Sequence, residues 1–393
     1  MKFIILTIVF FSLMIGHPLL GCKLWAVRTK SNLTFTSMAD QEIQNINNQL
    51  TSFYYQSEYM EDGWALLGYS QTLSDSTVPL IRSSSPATTD STLYWETVSS
   101  LLNNENGTIG IGHLRIATSG TNTIPNPHPW MFYDEDKSYS LIHNGTINKN
   151  ILYNLLTNND TDLSWLEMHE PQTFGGGHWN NEGWDNVVDS ELLLLYLMKQ
   201  INLEGDILSG IQTALIYLLN TGIYASQVNI IFSDGITLYA FGGYNGLYFT
   251  ESTEHYSIMT SPDNDSNNSW LGLEGHELIT FGLDSITRYP NFVSAGSGDI
   301  SFINASTFEM QPAYPNPFNG SVQFVLEGFT SNKINISILS LYGAKIDEFI
   351  VPELNNEKRT ISWSPRPQVS SGMYIIYARS SMRMEKRKIL FIK

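Results

Sequence analysis

Short apolar blocks separated by polar turns dominate the body of the chain. They predict strands over Leu24–Val27, Trp64–Tyr69, Ile109–His113, Ser140–His143, Val228–Phe232, Leu238–Phe241 and Tyr256–Met259. Blocks of this length, bounded by turn-forming residues, suit strands buried in a sheet. Three stretches with apolar positions at helical spacing predict helices over Ile151–Leu156, Ser190–Gln200 and Ile207–Leu219. The second opens on Asp189-Ser190-Glu191, acid and hydroxyl types that suit a helix start. The body is therefore mixed α and β.

The pattern changes at Gln311. Three prolines and a glycine within Gln311–Gly320 can continue neither a helix nor a central strand. Short strand-like runs then recur over Ser321–Leu326, Ile334–Leu339, Glu348–Val351, Thr360–Trp363, Met373–Ala378 and Ile389–Ile392, with turns at Leu341-Tyr342-Gly343 and Ser371-Gly372. This spacing predicts a small all-β sandwich of immunoglobulin-like type. At the other end, Lys2 precedes an uncharged run from Phe3 to Ile15, then Gly16-His17-Pro18 and Leu19-Leu20-Gly21. A positive start, a short apolar run and a small residue make a secretory signal. The run is too short to span a bilayer comfortably.

Composition narrows the picture. The 393 residues hold one cysteine, Cys22, so no intrachain disulfide framework forms despite the export signal. Charge is unevenly spread: residues 312–393 carry 11 Lys and Arg against 6 Asp and Glu, while the rest carries 10 against 32. So acidic a body excludes nucleic acid as its partner, because phosphate binding needs a basic surface. The basic end, Arg383 with Lys386-Arg387-Lys388 and Lys393, alternates with apolar residues as a solvated strand does.

A cut after Gly21 would place a thiol and a free α-amine together on Cys22. A nucleophile that uses its own amine as base is one solution to amide hydrolysis. Three further segments carry suitable chemistry: Gly112-His113-Leu114-Arg115-Ile116-Ala117-Thr118 with Asn126-Pro127-His128-Pro129-Trp130, His143-Asn144-Gly145-Thr146, and Asp189-Ser190-Glu191. With Asp62-Gly63-Trp64, this order resembles the class II glutamine amidotransferases among the N-terminal nucleophile hydrolases, over roughly residues 22 to 290. The resemblance implies a four-layer αββα domain. It also implies Cys22 as nucleophile, Asn144 (side-chain amide) and Gly145 (backbone N–H) as the oxyanion hole, Arg115 for the substrate's α-carboxylate and Asp189 for its α-ammonium.

Each position also has a plainer reading. Leu19-Leu20-Gly21-Cys22 resembles a bacterial lipobox, and lipidation would consume both thiol and amine. Arg115 could be a structural ion-pair member, Asp189 a helix N-cap, and Asn144-Gly145 a hairpin turn that also begins a formal Asn-x-Thr sequon. His113, His128 and His143 belong to motifs where they would orient loops rather than bind a metal. Phe174-Gly175-Gly176-Gly177-His178-Trp179 lacks a phosphate-binding lysine, and Asp263-Asn264-Asp265-Ser266-Asn267-Asn268 with Glu274 is a weak echo of a calcium loop.

The last 82 residues resemble the sorting tail of the type IX secretion system. The carrying residues are Tyr314-Pro315-Asn316-Pro317-Phe318-Asn319, Leu341-Tyr342-Gly343, Ser371-Gly372-Met373-Tyr374 and Lys386-Arg387-Lys388-Ile389-Leu390. The expected organisation is a signal peptide (1–21), an α+β hydrolase domain (22–300) and a β-sandwich sorting domain (312–393). The protein would be secreted or surface-bound and contact the secretion machinery through its tail. It would hydrolyse glutamine or a γ-glutamyl amide, with no cofactor and no metal. Two alternatives stay open: an N-terminal-cysteine acylase of other amide specificity, and a lipidated, non-catalytic binding protein. Oligomeric state is not legible.

Overall fold

The computed structural model describes residues 21–31, 33–70, 78–118, 128–134, 137–243, 246–263, 269–293, 307–329, 333–341, 344–352, 354–379 and 384–393. Residues 1–20 of the signal, Asn126-Pro127, Asn264–Asn268, Tyr342-Gly343 and Arg383 lie outside the described residues. The chain forms two compact units. One is drawn from Met1–Thr146, Gln172–Ser190 and Ala225–Arg288, the other from Ile147–Pro171, Glu191–Tyr224 and Tyr289–Lys393.

The first unit is built on two antiparallel sheets. Its strands are β1 (Lys23–Thr29), β2 (Trp64–Ser70), β3 (Val78–Ser83), β4 (Gly107–Leu114), β5 (Trp130–Asp134), β6 (Lys137–Asn144), β7 (Asn229–Ser233), β8 (Leu238–Gly242), β9 (Tyr248–Glu251), β10 (His255–Met259), β11 (Leu271–Gly272), β12 (Glu277–Phe281) and β13 (Ile286–Tyr289). One sheet runs β11-β9-β10-β1-β4-β2-β3 and the other β13-β12-β8-β7-β6-β5. Period-2 alternation explains their stacking. Leu24 and Ala26 of β1, with Ile109 and Ile111 of β4, meet Ile142, Ile231 and Ala240 of the opposite sheet in one buried core. Trp25 and Val27 face the other way, where helices α1 (Asp40–Gln56) and α2 (Ser91–Leu102) cover them with Ile46, Leu50, Phe53, Val98 and Leu101. Within this unit the layers are thus helix, sheet, sheet.

The second unit contains helices α3 (Lys149–Thr157), α4 (Ser164–Met168) and α6 (Ile207–Asn220), and α5 (Asp189–Glu204) beyond its first two residues. It also contains β14 (Thr307–Met310), β15 (Val322–Phe329), β16 (Ile334–Ser340), β17 (Lys345–Val351), β18 (Asn355–Trp363), β19 (Gly372–Arg379) and β20 (Met384–Phe391). These strands make a sheet β14-β15-β18 and a sheet β17-β16-β19-β20. Inward residues such as Phe324, Leu326, Ile336, Ile338, Ile376 and Ile389 form a single buried core between them.

Candidate active site

Cys22 immediately precedes β1, and strand parity puts it on the same face as Leu24 and Ala26, the face toward the second sheet. Its Sγ lies 3.5 Å from the Ile116 carbonyl oxygen. Burial pushes the thiol upward; the nearby Arg115 charge opposes this and Asp189 adds to it. Arg115 follows β4 and is 3% exposed. Its N–H donates to Gly63 O at 2.8 Å, while Asp62 N–H donates to Arg115 O at 3.2 Å. The Asp62 carboxylate also accepts the Ala117 N–H at 2.6 Å. Asp62-Gly63 therefore extends β2 beside residues 115–117 and fixes the carbonyl that faces Cys22. Only glycine fits at 63: φ is +109° and a Cβ would stand 2.0 Å from Ser83 O. Burial pulls the guanidinium of Arg115 down, and Asp62, Cys22 and Asp189 counter it in that order.

Asn144 ends β6, and parity with Ile142 turns it toward the inter-sheet face too. A Cβ on Gly21 would lie 2.7 Å from Asn144 Oδ1, so the residue before Cys22 rests on the Asn144 side chain. The turn after Asn144 is clamped by Gln227. Its carbonyl accepts the His143 Nε2–H at 2.8 Å, and its side-chain amide donates to Thr146 O at 2.5 Å. Because that carbonyl can only accept, neutral His143 is left with Nδ1 as acceptor for the Ser190 hydroxyl at 2.9 Å. Gly145 wraps over the same carbonyl so closely that a Cβ would be 2.0 Å from Gln227 O.

Asp189, the first residue of α5, is 3% exposed, and its charge reaches Cys22, Arg115 and His143. Cys22, Arg115, Asn144 and Asp189 thus converge from four separate segments, with Gly145 beside Asn144. The histidines of the second segment tie residue 128 to β4. His128 N–H donates to His113 Nδ1 at 3.2 Å, so His113 Nε2–H donates to His128 Nδ1 at 3.0 Å. Burial holds both well below the ordinary histidine range. Arg82 donates to Pro129 O at 2.7 Å and lies 5.1 Å over the Trp130 ring. Gln227, Ser190 and Arg82 were not marked by any sequence signal for these positions; Ser190 reads only as a helix start.

In the tail, the proline-rich segment grips β20. Phe318 N–H donates to Leu390 O at 3.0 Å and Ile392 N–H to Phe318 O at 2.8 Å. The Asn316 side chain donates to Lys388 O at 3.0 Å and accepts from Leu390 N–H at 2.8 Å. Residues 312–393 match the secretion system C-terminal sorting domain family. With this sorting domain the chain is exported to the cell surface or beyond it. The chain is also similar to an uncharacterized protein from Methanocaldococcus jannaschii, 26% identical over 268 residues, 60% of this chain. That match spans just under two thirds, 65%, of the relative's own length. Among solved structures it is similar to a glutamine aminotransferase class-II domain protein from Silicibacter pomeroyi, at 15% identity and TM-score 0.41 over 68% of this chain and 97% of that one. Another similar structure is a "predicted glutamine amidotransferase" from Pseudomonas aeruginosa, at 13% identity and TM-score 0.34 over 68% and 98%.

Proposed function

We propose that this chain is an exported amidohydrolase that cuts the side-chain amide of glutamine or a γ-glutamyl compound through a thioester on Cys22. Residues 1–21 are the removed leader and 22–300 the hydrolase. The observation that carries this reading is the convergence on Cys22 of one cation, Arg115, and one anion, Asp189, beside Asn144. A zwitterionic amino-acid end needs both charges, and the amide it carries needs a nucleophile and oxyanion donors.

The steps follow from these roles. The α-amine of mature Cys22 takes the thiol proton as sulfur attacks the amide carbon. The oxygen gains the electron pair and is held by Asn144 Nδ2 and the Gly145 N–H; one such donor is worth ~3–4 kcal/mol. The C–N bond breaks, the α-ammonium returns its proton to the leaving nitrogen, and ammonia or an amine departs. Water, deprotonated by the same amine, then attacks the thioester, releasing glutamate and restoring the thiol. Arg115 pairs with the α-carboxylate through its planar fork and Asp189 with the α-ammonium.

Two observations weigh against the alternatives. An acylase for apolar acyl groups has no use for a buried Arg–Asp pair. A lipidated cysteine must project its sulfur outward, whereas this sulfur faces Ile116 O at the inner face of a sheet. The test is glutamate release by the chain starting at Cys22. It should be active, and both Cys22→Ala and a chain retaining Gly21 should be inactive yet folded. Normal turnover by either would end the reading.

A further inference from the structure

The two outer faces of the sorting domain differ in chemistry. On the sheet β14-β15-β18 the outward pairs are Gln323 with Ser362, Val325 with Thr360 and Glu327 with Lys358. The last is an ion pair at 2.9 Å. This is an ordinary solvated face of an antiparallel sheet.

On β17-β16-β19-β20 the inward positions Ile336, Ile338, Ile376 and Ile389 belong to the core, so register fixes which residues face out. Leu339 pairs with Ile375, Ile375 with Lys388, Tyr377 with Lys386, and Met373 with Leu390. The result is an unbroken apolar stripe, Leu339–Ile375–Met373–Leu390, flanked by Lys386 and Lys388. Met373 is 42% and Leu390 36% exposed. Glu385, the carboxylate of this strand, is bonded by Arg387 at 3.1 Å, and both pair with core positions, Ala378 and Ile376, opposite in parity to the two lysines. Arg379, at the corner of the sheet, donates to Asn202 Oδ1 at 3.1 Å and stands outside the stripe.

We infer that this face is the surface by which the sorting domain is recognised, and that its occupant is a protein of the secretion system presenting an acidic, apolar patch. Lys345 and Glu348 on β17 neutralise each other at 3.0 Å, and apolar area left exposed beside the two β20 lysines marks an interaction site. A second copy of the chain is a poor occupant, because the same face would set Lys386 and Lys388 against their own copies. The sorting-domain match supplies the class of partner.

The test uses the full chain in its exporting cell and measures the fraction that reaches the outside. Lys386→Glu with Lys388→Glu, and separately Met373→Ser with Ile375→Ser, should each cut that fraction about tenfold, as loss of a central interface group does. Val325→Ser on the other sheet should not change it. Thermal melts of the purified variants must match the parent, which separates recognition from folding. Export at the parental level by either pair, or equal retention of Val325→Ser, overturns the inference. A further arm mixes the purified full chain with vesicles containing anionic phospholipid, and no binding is expected. Binding that Lys386→Glu with Lys388→Glu abolishes would make the occupant a lipid surface and overturn the protein partner. The outcome is independent of whether Cys22 catalyses amide hydrolysis.

Discussion

Gly145→Ala is the sharpest probe of the turn that would hold the oxyanion. An alanine Cβ there meets Gln227 O at 2.0 Å, Gln227 C at 2.5 Å and His143 Nε2 at 2.8 Å. Reaching an ordinary contact of roughly 3.4 Å requires about 1.4 Å of movement, and two of these three atoms are backbone. That movement stretches the His143–Gln227 hydrogen bond, now 2.8 Å, beyond bonding range. Overpacking costs about 1–3 kcal/mol, and an unpaired buried donor costs about 1–3 kcal/mol more. Displacing an oxyanion donor by ~1 Å should lower kcat about 10²- to 10³-fold. KM should hardly move, since these bonds form in the transition state. The assay is glutamate release by the chain starting at Cys22, with urea unfolding and Cys22 alkylation measured in parallel. Gly222→Ala is the control, because φ is +92° there but nothing stands within 4 Å of the added Cβ. A kcat within about threefold of the parent would refute the reasoning, as would equal losses in the control.

Other outcomes follow from the same geometry. Arg115→Ala or Asp189→Ala should cost about 2–5 kcal/mol in kcat/KM for glutamine, with Cys22 still alkylated by a small reagent; unchanged kcat/KM would favour the acylase. His113, His128 and His143 are held neutral by burial, so the folded state resists protons that the unfolded chain accepts near pH ~6.5. Their contribution is full above that pH and lost as pH falls below it, by up to about 4 kcal/mol per unit for three protons. Urea midpoints between pH 8 and 5 would show it, and a flat profile would contradict it. Gly63→Ala should unfold more readily by about 2–4 kcal/mol, because φ is +109° and Ser83 O blocks the Cβ; an unchanged midpoint would refute that.

The strands that frame the nucleophile were legible because their apolar blocks are continuous and match the observed limits closely, as with Leu24–Val27 inside β1. Helix α1 was not. Asn45, Asn47, Asn48, Thr51 and Ser52 weaken its helical signal, although Ile43, Ile46, Leu50 and Phe53 keep the spacing of one buried face. Helix α2 was hidden by Thr92, Tyr94, Trp95, Thr97 and Val98, types that read as strand. At the site, Cys22, Arg115 and Asp189 show their chemistry by residue type. Gln227 does not: it is an unremarked amide in a short turn, and its role exists only because β6 and β7 pair. Arg82 likewise matters through Pro129, 47 positions away.

The hold of Asn316 on β20 has a consequence for solubility. As the last strand of its sheet, β20 would present a row of bare N–H and C=O groups, a template on which strands of other molecules can add. The Asn316 amide presents an N–H and a carbonyl oxygen side by side, as a peptide unit does, donating to Lys388 O and accepting from Leu390 N–H. Phe318 occupies the next two groups along the edge. The proline-rich motif therefore covers the Lys388–Ile392 part of that edge from within its own chain. Exported molecules carrying this tail can crowd together without adding strands to that stretch of β20.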